Sequence, residues 1–413
     1  MKIVTVVGML NKEKANYGYD DQLKEKFGEL KKSGYYTNML PLLIDNFDYE
    51  IVPIFTEKAK NVQISVLKNE FGTDYSHIFD GKYLIDDEKN YYDILSLINE
   101  AITEDNEYII DLTHGFRHIP ILATIALITH NISNSSNIKH ILFAKEIKHE
   151  KEYEIIDLKE YLELANMSYM LASFADNYTV SKIGKFTNES FQALSNSLSN
   201  LSNKILSNSI KDINESLKMT IDNINVIKND RKISALRHNL AKVEEHIKEL
   251  QEISKCEYLK SRQSYEFSEL LGKKGYLLNA ITLLFEAIGY YCLEKFKLID
   301  KSVKEHIELY SKEQKGQKIT YELTNNSRKF VKKLKGIYLV KNENVKKIII
   351  DFLNSKENIE QFREFIIKAE DLRNDLAHGN NGESIEDANL EFKNLLDQYK
   401  EFCIDNDILA KRQ

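Results

Sequence analysis

Glu107-Tyr108-Ile109-Ile110-Asp111-Leu112-Thr113-His114-Gly115-Phe116-Arg117-His118 holds the sequence of events that decides the fold. An apolar, β-branched run ends at Asp111. A polar loop follows, and a helical pattern opens near Pro120 and continues over residues 120–132. Similar apolar runs occupy residues 3–7, 49–55 and 140–145, and a second helical pattern spans residues 92–102. Strands alternating with helices predict a mostly parallel sheet with helices on both faces. Ligands of such sheets bind at the carboxyl ends of the strands. The loop after Asp111 offers a hydroxyl (Thr113), an imidazole (His114), a glycine for close backbone approach (Gly115), an aromatic ring (Phe116) and a guanidinium (Arg117). It stands just before a helix N-terminus, where free N–H groups favour anions. A second loop is expected from Gly8 through Asn16, Tyr17 and Gly18, with Tyr17 and Tyr19 placed to stack on a base beside Phe116. An ordinary strand-to-helix turn fits the same residues.

Several site classes find no support. No G-x-G-x-x-G follows the first strand and no G-x-x-x-x-G-K-[ST] occurs, so neither dinucleotide binding nor ATP hydrolysis is indicated. His114 and His118 are helix-spaced but lack acidic neighbours, so no metal is expected. Cys256, Cys292 and Cys403 have no metal-ligand spacing and read as reduced thiols of a cytoplasmic protein. The first residues read as a strand, without the pattern of a signal peptide. Residues 277–293 are the most apolar stretch, but Asn279, Thr282 and Glu286 interrupt them, which suits a buried helix and predicts no membrane span. A net charge of −7 argues against non-specific coating of nucleic acid.

A chain of 413 residues predicts two or three domains. Strand signals stop near residue 160. Apolar stripes over residues 191–224 and 233–253 predict two long helices forming a hairpin, read as a connector or interaction surface. The remainder is helical. Arg328, Lys329, Lys332, Lys333, Lys335, Lys341, Lys346 and Lys347 cluster there, as a nucleic-acid path or a solvated helical face.

Next comes Asp371-Leu372-Arg373-Asn374-Asp375-Leu376-Ala377-His378-Gly379. Ile359, Phe362, Ile366, Ala369, Leu372 and Leu376 recur every three or four residues, so the stretch ends an amphipathic helix, and Gly379 suits the left-handed closing position. Asn374 and His378 share a face, where the Asn amide can orient the imidazole. Arg373 and His378 are five apart, roughly 140° around an ideal helix. Both groups reach one phosphate only if two copies meet across a two-fold axis or the helix end loosens. Arg supplies a permanent fork for phosphate, and His exchanges protons near neutral pH. These are parts for RNA cleavage in which the ribose 2′-OH attacks the neighbouring phosphorus. A helix-dipole cap and a solvated charge fit the same two residues.

Taken together, the two stretches carry a resemblance. Asp111-Leu112-Thr113-His114-Gly115-Phe116-Arg117 closely resembles the Asp-x-Thr-His-Gly-Phe-Arg signature of CARF sensor domains, and Arg373 through His378 resembles the Arg-x4-His motif of HEPN ribonucleases. Their order and separation are similar to the CARF–HEPN ancillary ribonucleases of type III CRISPR systems. The resemblance implies a Rossmann-like α/β CARF domain over residues 1–160, a helical connector over 161–265 and an all-α HEPN domain over 266–413. It implies a cytoplasmic homodimer acting in antiviral defence. Its activator would be cyclic tetra- or hexa-adenylate, held by Gly8, Asn16, Tyr17, Thr113, His114, Gly115, Phe116 and Arg117. Its substrate would be single-stranded RNA, cut without metal or cofactor by Arg373, Asn374 and His378 to leave 2′,3′-cyclic phosphate ends. Two other expectations stand beside it. One is a nucleotide-sensing module whose helical half only dimerises or regulates. The other is a HEPN toxin-type ribonuclease answering to a different nucleotide.

Overall fold

The computed structural model describes the chain apart from residues 11–12, 87–90, 104, 115–117, 135–136, 181–184, 211–212, 230, 256–258, 314–318, 334–341, 380–383 and 411–413, with backbone alone at 118, 130–134, 231–233, 313 and 319–320. It divides into two compact units. One holds Met1–Ala175, Thr179–Leu198 and Asp222–Val243; the other holds Asp176–Tyr178, Ser199–Ile221 and Glu244–Gln413.

The first unit is built on a seven-stranded sheet of order β3-β2-β7-β6-β5-β1-β4. Its strands are β1 (Lys2–Val6), β2 (Ala15–Tyr19), β3 (Tyr35–Tyr36), β4 (Glu50–Ile54), β5 (Tyr108–Asp111), β6 (Ile138–Lys148) and β7 (Glu152–Asp157). The pairs β1/β4, β1/β5, β5/β6 and β2/β7 are parallel, whereas β2/β3 and β6/β7 are antiparallel. This is the mostly parallel sheet that the strand–helix alternation predicts. Successive side chains of a strand face opposite sides, and both sides are buried. Val4, Val52 and Ile110 pack in a core with Leu97 of α4 (Tyr91–Ala101) and Ala126 of α5 (His118–Asn134). Ile3, Ile109 and Leu142 pack on the other face with Met39 and Leu42 of α2 (Met39–Asn46). Each such buried aliphatic side chain contributes about 1.5–3 kcal/mol.

Three strands lie where no strand is expected from the sequence. The stretch 15–19, read as loop, is β2, whose residues alternate between buried and exposed. Asn16 and Gly18 have low strand propensity, and register with β7 holds them extended. The pair β6/β7 is a hairpin turned at Lys148–Lys151.

The remaining elements are helical: α6 (Lys159–Asn177), α7 (Glu189–Leu206), α8 (Ile213–Lys228), α9 (Arg237–Ile253), α10 (Lys260–Lys273), α11 (Leu277–Ile299), α12 (Lys301–Glu313), α13 (Ile319–Lys333), α14 (Glu343–Asn354), α15 (Ile359–His378) and α16 (Ile385–Tyr399). The first of the two long helices expected over 191–253 is in fact two, α7 and α8. Asn208 takes φ 56°, and the Ser209 N–H donates to the Lys204 carbonyl. That is the Schellman closure of a helix end, with Asn in the left-handed position. Each of α7, α8 and α9 gives part of its length to both units.

In the second unit α11 is the central helix. By length and composition it passes for a membrane span, but 67% of its most apolar window is buried inside the protein, as expected of a core helix. Cys292 on this helix is a buried free thiol, as is Cys403. The final helix ends at Tyr399 and continues as a π-helical turn over Lys400–Asp405.

Candidate functional site

The carboxyl ends of β1, β4 and β5 frame a cleft of about 350 Å3, lined by Gly8, Met9, Thr56, Thr113, His114 and several apolar side chains. Strand β1 lies between β4 and β5, and the chain crosses from β4 on one side of it to β5 on the other. Ligand sites of open α/β sheets sit at such crossings. The N-terminus of α3 (Glu57–Phe71) also opens here. Its cap Thr56 accepts the Ala59 N–H, so the hydroxyl keeps its own proton to donate.

Buried hydrogen bonds fix the two loops at this cleft. Asp111, fully buried, accepts from the Thr5 hydroxyl at 2.7 Å, the Thr113 N–H at 3.0 Å and the Thr113 hydroxyl at 2.6 Å. The Thr113 oxygen in turn accepts the Ala144 N–H at 2.9 Å. Its only proton is committed, so this hydroxyl positions the loop and cannot also donate to a phosphate. The Gly8–Leu10 loop is held from below. Gln63 donates to the Gly8 carbonyl at 2.9 Å, and Asn38 donates to the Leu10 carbonyl and to Gln63, both at 3.0 Å. Asn38 and Gln63 support this loop, and neither stands out in the sequence. They lie 25 residues apart, and Gln63 lies 55 residues from Gly8, so no local pattern marks them.

His114 accepts the Met39 N–H through Nε2 at 3.3 Å, which places its proton on Nδ1. Burial pushes this imidazole below its ordinary value, partly countered by Asp111, and the adjoining N-terminus of α2 further disfavours the cation. The sign of its effect on stability follows. Well above pH 6.5 both folded and unfolded chains carry neutral His114. As pH falls below that value the unfolded chain binds a proton that the folded one resists, so stability falls. The variant His114→Gln keeps an acceptor for Met39 without a titrating group. Its melting temperature is expected to fall less than that of wild type between pH 7 and pH 5, measured by thermal denaturation across the range.

The other expected ligand contacts are placed differently. Asn16 and Tyr17 lie within β2, not on a loop. Tyr17 is 2% exposed and its ring stacks on Tyr153 at 4.9 Å. Tyr19 lies 5.9 Å from Phe27. Neither Tyr17 nor Tyr19 lines the cleft, because pairing with β7 turns these rings into the underside of the sheet. Gly115, Phe116 and Arg117 fall outside the described residues.

The second stretch is as regular as its periodicity implies. Helix α15 runs unbroken to His378, and Gly379 closes it at φ 65° and ψ 21°, donating to the Asp375 carbonyl. Ile359, Phe362, Ile366, Ala369 and Leu372 are buried, and His378 is exposed. The helix does not loosen, so Arg373 and His378 keep their separation of roughly 140°. Asn374 does not pair with His378. Its Oδ1 accepts from Arg373 Nη1 at 2.9 Å, and among the described residues no hydrogen bond joins it to the imidazole. The basic cluster is no continuous path either. Arg328 is 2% exposed, Lys332 pairs with Glu370 and Lys346 pairs with Glu343. Lys335 and Lys341 fall outside the described residues.

No family model matches the chain. It is similar to a CRISPR-associated protein, MJ1674 of Methanocaldococcus jannaschii, at 24% identity over 221 residues, which is 51% of this chain and 34% of the relative. The matched stretch thus spans about a third of the relative's length.

Proposed function

We propose that this chain is a CRISPR-associated endoribonuclease, activated by a cyclic oligoadenylate bound at the sheet cleft and cutting single-stranded RNA at the end of α15. The observation that carries the reading is the presence of both halves in one chain. A strand-end cleft with Gly8 and His114 occupies the first unit, and Arg373 and an exposed His378 stand in the last turns of α15 in the second. Similarity to a CRISPR-associated protein over half the chain supports the setting.

The cleft's about 350 Å3 is at the small end for ligand sites. One copy therefore takes part of a nucleotide ring, and a second copy across a two-fold axis takes the rest. Two copies of α15 also resolve the angle between Arg373 and His378, because the imidazole of one chain meets the guanidinium of the other. His378 takes the proton of the ribose 2′-OH and returns one to the departing 5′-oxygen. Arg373 stabilises the charge on the pentacoordinate phosphorus. The nucleophile belongs to the substrate, so the step needs no metal-bound water. Cytoplasmic placement accords with this substrate.

The test is cleavage of a fluorescent single-stranded RNA in EDTA, with and without cyclic tetra- and hexa-adenylate. Cutting that depends on one ring is expected and names the activator. Cutting indifferent to both rings overturns the sensor assignment. Tight ring binding without cutting overturns the nuclease assignment.

A further inference from the structure

Glu163 stands in the first turns of α6 and is buried, with its carboxylate turned on the start of α7. Oε1 accepts the Thr187 N–H at 2.9 Å and the Thr187 hydroxyl at 2.7 Å, and Oε2 accepts the Asn188 N–H at 3.2 Å. Asn188 caps α7, its Oδ1 accepting the Ser190 N–H at 3.0 Å and the Phe191 N–H at 3.1 Å. Phe186, two residues ahead of the cap, packs edge-on against Phe191 with ring centroids 5.9 Å apart. An apolar contact across a cap fixes the angle at which the chain enters a helix. One buried carboxylate on α6 thus holds the whole entry to α7.

The root of α6 is tied to the sheet just as closely. Asp157, at the end of β7, accepts the Lys159 N–H at 2.9 Å, the Ile141 N–H at 3.0 Å and His140 Nδ1–H at 2.6 Å. The Leu158 N–H donates to the Ile141 carbonyl at 2.7 Å. Along its other edge the same stretch of β6 holds the cleft loop. There the Leu112 N–H donates to the Leu142 carbonyl at 3.1 Å, and the Ala144 N–H donates to the Thr113 hydroxyl oxygen at 2.9 Å. Residues 140–144 therefore carry the cleft loop on one side and the root of α6 on the other. Neither they nor residues 157–163 include a small hinge residue such as glycine to absorb a shift. Helix α7 begins in the first unit and runs on into the second at Ser199.

Resting on the reading that a ligand at the sheet cleft governs RNA cleavage, we propose that Glu163 couples the cleft to α7. A ligand that shifts the Thr113 loop shifts β6 and the root of α6 with it, and Glu163 passes the shift to the entry of α7. The ligand supplies the free energy through contacts that differ between the two placements of the loop. Glu163 touches neither ligand nor RNA.

The test follows hydrogen exchange by mass spectrometry over residues 189–196 of the full-length chain, with and without cyclic tetra- or hexa-adenylate. In wild type the ring is expected to slow exchange there about five-fold, within the usual span of coupling between sites. Glu163→Gln keeps an acceptor for Thr187 but turns an amide donor on the Asn188 N–H, and Thr187→Val removes one donor to the carboxylate. In both variants the response should shrink to less than about two-fold. Ring affinity in both should equal or exceed that of wild type, because binding no longer has to move α7. A loss of packing alone would weaken it. Cutting without ring should be unchanged, and its stimulation by ring should fall about ten-fold. A wild-type response in both variants, or no response of α7 to bound ring in wild type, overturns the inference and leaves the nuclease reading intact. A response lost in the variants of a chain that cuts no RNA keeps the coupling and removes the nuclease reading. Failure to bind either ring removes the sensor assignment and the coupling with it.

Discussion

His378→Ala should cut ring-activated RNA roughly 10³-fold more slowly than wild type, a loss within the range of general acid–base catalysis. Binding of the cyclic oligoadenylate should be unchanged, because His378 and the cleft belong to different units. The residue is exposed and ends its helix, so its removal opens no cavity and stability should hold within about 0.5 kcal/mol. Fluorescent-RNA cleavage in EDTA, with ring binding measured on the same preparation, separates these outcomes. Normal cutting by His378→Ala would remove His378 from the reaction. The helix geometry adds a second arm. A mixture of His378→Ala and Arg373→Ala chains forms hybrid dimers in which one chain supplies the arginine and the other the imidazole. If catalysis needs that cross-axis pair, mixing two inactive variants restores cutting. No recovery would mean that Arg373 and His378 act from one chain, against their separation of roughly 140°.

The parts of this molecule that sequence makes plain are those fixed by local pattern. The strand at Tyr108–Asp111, the helix Ile359–His378 and its glycine cap follow from periodicity and from backbone chemistry within a few residues. Long-range pairing sets what could not be read. Ala15, Asn16 and Gly18 weaken the strand signal of Ala15–Tyr19, and the stretch is extended because β7, some 136 residues later in register, pairs with it. That single pairing moved Tyr17 from an expected ligand contact to the sheet's underside. Asn374 was expected to serve His378, but the adjacent Arg373 fork reaches its carbonyl oxygen first. Arg328 looked like one more surface cation among lysines until Gly289 brought α13 against α11 and buried it.

Asp111→Ala should be the most damaging change at the sheet cleft. The substitution strands the Thr5 hydroxyl, the Thr113 N–H and the Thr113 hydroxyl in a buried site. Each unsatisfied donor costs about 1–3 kcal/mol, so a combined loss of about 3–5 kcal/mol is expected, allowing for relaxation. At about 2–4 °C per kcal/mol for a unit of this size, the melting temperature should drop by about 10 °C. Ring affinity should fall with it, because the released Thr113 hydroxyl no longer ties the loop to Ala144 on β6. A global loss of folding would give the same binding defect, so Asp111→Asn is the deciding comparison. Its Oδ1 can still accept both Thr113 donors, and its amide can donate to the Thr5 oxygen once that hydroxyl turns. If Asp111 serves by hydrogen bonding, Asp111→Asn should keep both ring affinity and melting temperature near wild type. If the negative charge itself matters to the bound ring, Asp111→Asn will fold normally and bind differently. Calorimetric melting and ring titration of the two variants measure this, and a wild-type melting temperature in Asp111→Ala would show that Asp111 does not hold the loop at all.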